Sequence, residues 1–194
     1  MCWMTIQNDD SGAAVEQAVD RLRHGERCSG GDSWGLAFPK QNDEGLEIRT
    51  GVGTVPQNME TVASHWAAGV ALGHTRWATR GEISMRNAHP FAIRNSDGDT
   101  IAALAHNGTW HDAPQTDRAD SFYIARLAES MVLAGHDLTD AVKHAGDVTG
   151  ETLVVIDTAG TGYTYSGRYE ITDTGDNVAS SGGTPIPTGE LRVI

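Results

Sequence analysis

The strongest constraint on the fold is the alternation of amphipathic helical segments with short apolar segments of strand-like composition, which dominate the C-terminal part. Apolar residues that recur every three to four positions predict helices that bury one face. Capping and breaking residues set the expected ends of these helices. Helices are predicted from Ala14 to Gly25 with Ser11 as the N-cap, from Pro56 through Trp66, from Asp120 to about Ala134, and from Leu138 through Val142.

Strands are predicted where β-branched and other apolar residues cluster between turn-forming residues. The turn at 159–162 lies between two such runs and predicts a hairpin. A chain of 194 residues is expected to form one domain over residues 1–194. The predicted strands are Val70–Thr75, Ile101–Ala105, Leu153–Ile156, Tyr163–Tyr165, Asn177–Ser180 and Leu191–Ile194.

The formal charge of −12 argues against general binding of nucleic acids or anionic membranes, because both carry the same sign of charge. Lys40 and Lys143 are the only lysines. Many acidic residues with few lysines are typical of a halophilic protein kept soluble in concentrated salt, and an ordinary acidic cytosolic protein is the alternative.

A cytoplasmic location is expected from three further observations. The N-terminus lacks the basic and apolar regions of a secretory signal. The longest apolar stretch, Trp66–Leu72, is far shorter than the roughly 20 residues needed to cross a bilayer. The two cysteines, Cys2 and Cys28, are too few for a disulfide framework, which favours a reducing compartment.

The candidate nucleophile is Cys2. If Met1 is removed, this residue carries both a thiol and a free α-amino group. A thiol with a pKa of about 8.5 needs a base near neutral pH, and an α-amine with a pKa of about 7.7–8.0 can take the proton. A cysteine at position 2 without any function is the simpler reading of this feature alone.

Two further motifs suit the recognition of an amide substrate. Arg76 follows a predicted strand, and its planar guanidinium can bind a carboxylate through two hydrogen bonds. Asn107 and Gly108 combine a side-chain NH₂ donor with a backbone N–H, which is a possible oxyanion hole for acyl transfer. Taken separately, an arginine at a strand end also suits a surface ion pair, and Asn-Gly also suits a plain turn.

In their order along the chain these motifs resemble the class II glutamine amidotransferases, the glutaminase domains with an N-terminal nucleophile. The resemblance implies an α+β fold, a four-layer αββα sandwich with two antiparallel sheets between helical layers. It also implies that Cys2 attacks the side-chain amide of L-glutamine, releases ammonia and leaves a glutamyl thioester that water hydrolyses. The motifs that carry the resemblance are Cys2, Gly31–Ala37, His74–Gly81, Asn87–Pro90, His106–Gly108, Asp120–Ser121, Val178–Ser181 and Gly189–Ile194.

The resemblance also assigns roles to individual residues. Arg76 matches the arginine that binds the glutamine α-carboxylate, and Asp120 matches the aspartate that binds its α-ammonium group. Asn107 and Gly108 match the oxyanion-stabilising pair. Trp77 and Thr79 fall in the loop that lines and closes over the bound amide. His89 is placed with the substrate-binding residues, and His74 and His106 are expected to support the site.

The sequence departs from the family at two places. Arg80 stands in Thr79-Arg80-Gly81 where a histidine is usual, and Phe122 follows Asp120-Ser121 where an acidic residue is usual. The chain also reaches Ile194 without a recognisable acceptor domain, so an ammonia-accepting synthase partner on another chain is expected, and an oligomer is possible. The histidines lack metal-ligand spacing, and no phosphate-loop or dinucleotide motif is present, so neither a metal nor a cofactor is expected.

Three functions remain open from the sequence. The favoured one is a glutaminase that supplies ammonia. The second is a different amide hydrolase with the same nucleophile, which the charged pair of Arg76 and Asp120 disfavours. The third is a catalytically idle binding or structural component with the same fold.

Overall fold

In the computed structural model, residues 2–40, 45–59, 69–168, 171–173, 177–179, 184–185 and 188–194 are described. The helices are α1 (Ala14–Ser29), α2 (Asp120–Leu133) and α3 (Leu138–Thr149), with a 3₁₀ turn over Met85–Asn87. The strands are β1 (Trp3–Asn8), β2 (Ser33–Pro39), β3 (Leu46–Val52), β4 (Val70–Arg76), β5 (Phe91–Arg94), β6 (Thr100–Asn107), β7 (Thr152–Asp157), β8 (Gly162–Tyr165), β9 (Thr172–Asp173), β10 (Asn177–Ala179), β11 (Thr184–Pro185) and β12 (Leu191–Val193).

The described strands form two antiparallel sheets. One has seven strands in the order β11-β9-β10-β1-β4-β2-β3, and the other has five in the order β12-β8-β7-β6-β5. The hairpin between β7 and β8 is confirmed, with Ile156 opposite Gly162. Since β4 pairs with both β1 and β2, it lies inside the first sheet, and every one of its residues is buried.

Three apolar clusters separate four layers. The first lies between α1 and the seven-stranded sheet, the second lies between the two sheets, and the third lies between the five-stranded sheet and the pair α2 and α3. Each cluster buries apolar surface from two neighbouring layers, which is the main favourable contribution to folding. The predicted α+β fold, a four-layer αββα sandwich, is confirmed.

Helix α1 differs from its predicted ends. Its N-cap is Ala13, which makes no capping side-chain bond, while Ser11 hydrogen-bonds through its backbone N–H to Asp9 Oδ1 at 2.8 Å. The helix also continues beyond Gly25, because that glycine serves packing: a Cβ there would lie 2.6 Å from Trp3 Cβ. The predicted helix from Pro56 falls mostly on residues 60–68, outside the described residues.

The free edge of β5 is covered by side chains of α2. The Arg126 guanidinium donates to the carbonyl oxygen of Ala92, and a carboxylate oxygen of Glu129 accepts from the backbone N–H of Arg94 at 2.8 Å. These contacts satisfy the backbone groups that a neighbouring strand would otherwise bind. No helix in the described part of the chain is long and apolar enough to cross a membrane.

Candidate active site

The site lies at one end of the sandwich, where strands of both sheets terminate. Trp3 of β1 pairs with Thr75 of β4, so Cys2 lies beside the end of β4 at Arg76. The two sheets are joined here by His74, whose Nε2 lies 3.1 Å from the carbonyl oxygen of His106 on β6. This bond holds the ends of β4 and β6 across from each other.

The thiol of Cys2 is partly buried and contacts the backbone at Trp77. The N–H of Trp77 donates to Sγ at 3.4 Å, and Sγ lies 3.7 Å from the carbonyl oxygen of the same residue. Burial raises the pKa of the Cys2 thiol, whereas the Trp77 hydrogen bond and the charge of Arg76 lower it and the charge of Asp120 raises it. The thiol therefore needs a base to ionise near neutral pH.

Arg76 presents a buried cation next to the thiol. Its side chain is only 3% exposed. The guanidinium donates to the carbonyl oxygen of Glu82 at 3.2 Å and to that of Arg80. Burial lowers the pKa of Arg76, and the negative charges of Cys2 and Asp120 oppose that effect. Two backbone carbonyls thus orient the guanidinium without neutralising its charge.

Asp120 provides the opposite charge at the start of α2. Its Oδ2 accepts from the N–H of Trp110 at 2.8 Å, and its Oδ1 accepts from the N–H of Ser121 at 3.0 Å. A carboxylate at the first turn of a helix is also favoured by the helix dipole. The site thus holds one buried cation and one buried anion that both act on Cys2.

Asn107 and Gly108 form the end of β6 on the facing sheet. Asn107 is 2% exposed and pairs with Thr152 of β7. Gly108 has φ +146°, a conformation that side chains disfavour, and the Glu151 carboxylate packs against it. Glu151 is fully buried, and neither of its oxygens has a hydrogen-bond partner in the part of the chain that the structure describes.

The polar contacts of the Glu151 carboxylate are longer than hydrogen bonds. Its Oε2 lies 3.5 Å from His106 Nε2, and its Oε1 lies 3.6 Å from Nη2 of the half-exposed Arg168. The other ring nitrogen of His106, Nδ1, lies 2.9 Å from Ser121 Oγ. Buried polar groups therefore extend from Glu151 through His106 to the residue that follows Asp120.

The segment after Arg76 is fixed to the segment after Gly108. Thr79 Oγ1 lies 3.1 Å from Thr109 Oγ1. The Arg80 guanidinium donates to the carbonyl oxygens of His111 at 2.9 Å and Ala113 at 3.0 Å. Trp77 is 54% exposed, so its indole can contact a ligand above the thiol. The arginine that departs from the family pattern thus ties two loops together.

His89 is buried behind the site. Its ring stacks on His74 at a centroid distance of 4.0 Å and meets Phe91 edge-on at 5.0 Å. Burial lowers the pKa of His74 to about 3 and that of His89 well below its ordinary value, so both rings are neutral at pH 7. In the described part of the chain, no group of three or more His, Cys, Asp or Glu side chains could hold a metal ion.

Three supporting residues were not assigned a role from the sequence. Asp32 Oδ2 accepts from the N–H of Ala78 at 2.8 Å and positions the loop next to Cys2. Asn87 donates to the carbonyl oxygens of Glu82 at 3.0 Å and Asp117 at 2.7 Å. Asp32 and Asn87 lie within recognisable motifs. Glu151 has no local sequence signal, because the residues it contacts are distant in sequence and only the fold brings them together.

The arrangement suits a small zwitterion with a reactive carbonyl. The cation of Arg76 and the anion of Asp120 can bind opposite charges of one ligand. The thiol of Cys2 can attack a carbonyl carbon, and the donors of Asn107 and Gly108 lie at the facing strand end, where an oxyanion could be stabilised.

Comparisons with known proteins agree with this chemistry. A family model described as "Glutamine amidotransferases class-II" matches residues 15–123. The glutamine–fructose-6-phosphate aminotransferase (isomerizing) of Pseudomonas putida is 34% identical over 146 residues, covering 69% of this chain and 22% of the relative. The enzyme of that name from Halalkalibacterium halodurans is 28% identical over 150 residues, covering 72% and 23% respectively.

Among solved structures, the glutamine phosphoribosylpyrophosphate amidotransferase of B. subtilis, complexed with ADP and GMP, has a TM-score of 0.69 at 20% identity. The match covers 100% of this chain and 47% of that chain. At this identity the likeness shows the fold. The chain thus spans less than a quarter of the length of the two curated relatives and about half of this structural neighbour.

Proposed function

Because the chain belongs to the class II glutamine amidotransferase family, we propose that it hydrolyses the side-chain amide of L-glutamine with Cys2 as the nucleophile and supplies ammonia to an acceptor reaction. The observation that carries the proposal is the position of the Cys2 thiol beside the end of β4, where it accepts from the Trp77 N–H at 3.4 Å and lies within the electrostatic influence of Arg76 and Asp120. A free amino acid carries one negative and one positive group at its α-carbon, which these two side chains complement.

The base in this proposal is the α-amine of Cys2 after removal of Met1. Burial raises the pKa of the thiol, so the thiol does not ionise readily without help. The α-amine has a pKa of about 7.7–8.0 and can take the proton directly or through a water molecule. Nucleophile and base then belong to one residue.

Substrate binding is divided among residues on both sides of the thiol. Arg76 binds the α-carboxylate through its guanidinium, and Asp120 binds the α-ammonium group. Trp77 and Thr79 line the entrance and exclude water from the reacting amide. The His89 ring is buried against His74 and Phe91, so we assign it an indirect contribution to glutamine binding, through the position of His74.

The reaction has two steps. Sulfur bonds to the amide carbon, and the resulting oxyanion accepts hydrogen bonds from Asn107 Nδ2 and the N–H of Gly108. The carbon–nitrogen bond then breaks, and the nitrogen leaves as ammonia with the proton held by the α-ammonium group of Cys2. Water adds to the thioester, the carbon–sulfur bond breaks, and glutamate and the thiol are released.

The consumer of the ammonia is proposed to be a synthase partner. The relatives are longer proteins, and the names of the two curated relatives include fructose 6-phosphate as well as glutamine. A glutaminase coupled to such a partner should release little ammonia alone and more when the partner is present. A cytoplasmic location fits a free amino acid as substrate.

The test measures ammonia release from L-glutamine in concentrated salt, together with the intact mass of the same sample. Protein that has lost Met1 should hydrolyse glutamine, the Cys2→Ala variant should not, and the matched Cys28→Ala variant should retain activity, because Cys28 is exposed on α1. A glutamine-like diazoketone should inactivate the enzyme by alkylating Cys2.

Two outcomes would contradict the proposal. Hydrolysis of other amides in preference to glutamine would indicate a different amide hydrolase with this nucleophile. Processed protein that binds glutamine without turnover, alone and with candidate partners, would indicate a binding component.

A further inference from the structure

A groove rich in arginine lies on the side of the sandwich between the edge strands β3 and β5 and the start of α2. Its volume is about 510 Å³, within the usual range of about 300–1,000 Å³ for small-molecule sites. Four of the chain's 12 arginines line it, namely Arg86, Arg94, Arg118 and Arg126. The only acidic residue among its described lining is Glu47.

Two of these arginines are already neutralised. Arg86 pairs with Glu82 at 2.9 Å and with Asp117. Arg126 pairs with Glu129 and also donates to the carbonyl oxygen of Ala92. These two guanidiniums are held in place by their partners and fix the shape of the groove.

The other two arginines lack such partners. Within the described residues, neither the Arg94 nor the Arg118 guanidinium has a carboxylate in ion-pair distance. Arg118 stacks on the Phe122 ring at 3.8 Å from its centroid, and its Nε is buried without an acceptor. A guanidinium that stacks on an aromatic ring can still donate to an anion through the N–H groups at its edge, which for Arg118 are those of its two terminal nitrogens.

The arginines in the groove lie close enough to repel one another. Burial lowers the pKa of Arg118, the charge of Arg86 lowers it further, and the charge of Asp117 opposes that effect. Burial also lowers the pKa of Arg126, the charge of Glu129 raises it, and the charge of Arg94 lowers it. The groove is thus a cluster of positive charges on a chain whose net charge is −12. An anionic ligand would stabilise this cluster by reducing the repulsion within it.

We propose that this groove binds a small organic phosphate monoester, with Arg94 and Arg118 binding the phosphate group. A phosphate monoester carries up to two negative charges and three acceptor oxygens, so it can accept hydrogen bonds from two guanidiniums at once. Apolar surface from Ile48, Met85 and Phe122 lines the same groove and suits the organic part of such a ligand.

The sequence could not reveal this site through a phosphate-loop motif. Its arginines come from the 3₁₀ turn, from β5, from the residues before α2 and from α2 itself. The proposal is independent of the glutaminase reaction, because among the described residues the Arg94 and Arg118 side chains form no ion pair or ring contact with a residue assigned to that reaction.

The test is a titration of the full chain with glucose 6-phosphate at physiological ionic strength, followed by ligand-observed NMR. Inorganic phosphate and unphosphorylated glucose serve as the comparison ligands. The variants are Arg94→Gln, Arg118→Gln and their combination, and the matched control is Arg21→Gln, an exposed arginine on α1. Circular dichroism and glutamine hydrolysis confirm that each variant is folded.

We expect saturable binding of glucose 6-phosphate, weaker binding of inorganic phosphate and none of glucose. The double variant should bind glucose 6-phosphate at least about tenfold more weakly, since each charge-assisted bond contributes strongly, and Arg21→Gln should bind normally. Arg94→Gln alone should lose less affinity for glucose 6-phosphate than the double variant. It still tests the proposal if the Arg118 variants fail to fold.

Several results would overturn the proposal. One is the absence of saturable binding to the unmodified chain, and another is an equal loss in Arg21→Gln, which would indicate diffuse charge attraction. Tighter binding of inorganic phosphate than of glucose 6-phosphate would exclude a monoester site. Binding of a hexaglutamate peptide through Arg94 and Arg118, with neither phosphate probe bound, would indicate a surface for an acidic polypeptide instead.

Discussion

The carboxylate of Glu151 packs directly against the α-carbon of Gly108: a Cβ built on this glycine would lie 1.8 Å from Glu151 Oε2. The fully buried glutamate thus forms the back wall of the strand end that presents Asn107 and Gly108. The backbone at Gly108, whose N–H is assigned to the oxyanion, therefore has no room to move toward Glu151, the residue that precedes β7.

Replacement of Gly108 by alanine is expected to lower kcat for glutamine by about 10²–10³, because the displaced backbone no longer presents its N–H to the oxyanion. The matched control is Gly98→Ala, which also has positive φ but has open space around its α-carbon. The combination of Gly108→Ala with Glu151→Ala should recover part of the lost activity by making room for the new methyl group. Unchanged kcat in the single variant would contradict the assignment of Gly108.

Replacement of Asp120 by asparagine is expected to raise KM for glutamine by about tenfold or more, because the ion pair with the α-ammonium group is lost. Steady-state kinetics would measure the change, with kcat affected less than KM. Asp112→Asn, the same change at an exposed position nearby, should leave KM unaltered. An equal fall in kcat at unchanged KM would instead assign Asp120 to the chemical step.

Replacement of Asn87 by alanine is expected to lower the free energy of unfolding by about 1–3 kcal/mol, because buried backbone groups lose their partners. The side chain bonds the carbonyl oxygens of Glu82 and Asp117 and accepts from the N–H of Ala119 at 2.9 Å. Asn95→Ala is the matched control, since Asn95 accepts from two backbone N–H groups in an exposed turn. Urea unfolding of both variants measures the difference; equal losses would argue against a special contribution of Asn87.

Stability is expected to fall as the pH drops below about 6.5. The pKa of His74 is about 3 in the folded chain and 6.5 ordinarily, so between these values the unfolded chain binds a proton that the folded chain does not. The free energy of unfolding then decreases by about 1.4 kcal/mol per pH unit for this residue, or about 2 kcal/mol between pH 6.5 and pH 5.

His89 acts in the same direction, since burial also lowers its pKa. Urea unfolding at pH 7 and pH 5 should show a shallower pH dependence for His74→Gln than for the unmodified chain. His136→Gln, at an exposed position, should leave the dependence unchanged. The same slope in all three proteins would mean that His74 is protonated in the folded state.

The elements that could be predicted from sequence are those that carry a recognisable pattern within their own residues. Helix α2 and the hairpin of β7 and β8 each carry a clear periodicity or turn, and the structure confirms them. Strands β1 and β2 are buried on both faces, so neither shows the polar–apolar alternation that identifies a strand from sequence. Strand β3, a half-buried edge, does alternate and could have been predicted. Glycine signals also misled at Gly25, because its neighbour Trp3 is distant in sequence.

The candidate site was accessible from sequence only where residues fall in ordered motifs. Cys2, Arg76, Asn107 and Asp120 do, and the structure places them around one end of the sandwich. The contacts of Glu151 and the grouping of Arg94 with Arg118 arise from the packing of sheets and helices. No local pattern encodes them.

The amide of Asn87 fixes the opening of the candidate site. Through Glu82 and Asp117 it joins the loop that orients Arg76 to the residues that lead into Asp120. Because one side chain fixes the segments that carry both Arg76 and Asp120, it also fixes how far the α-carbon of a bound amino acid lies from Cys2 Sγ. On the proposed assignment this distance suits glutamine. Asparagine is one methylene shorter, so its amide carbon would not reach the sulfur.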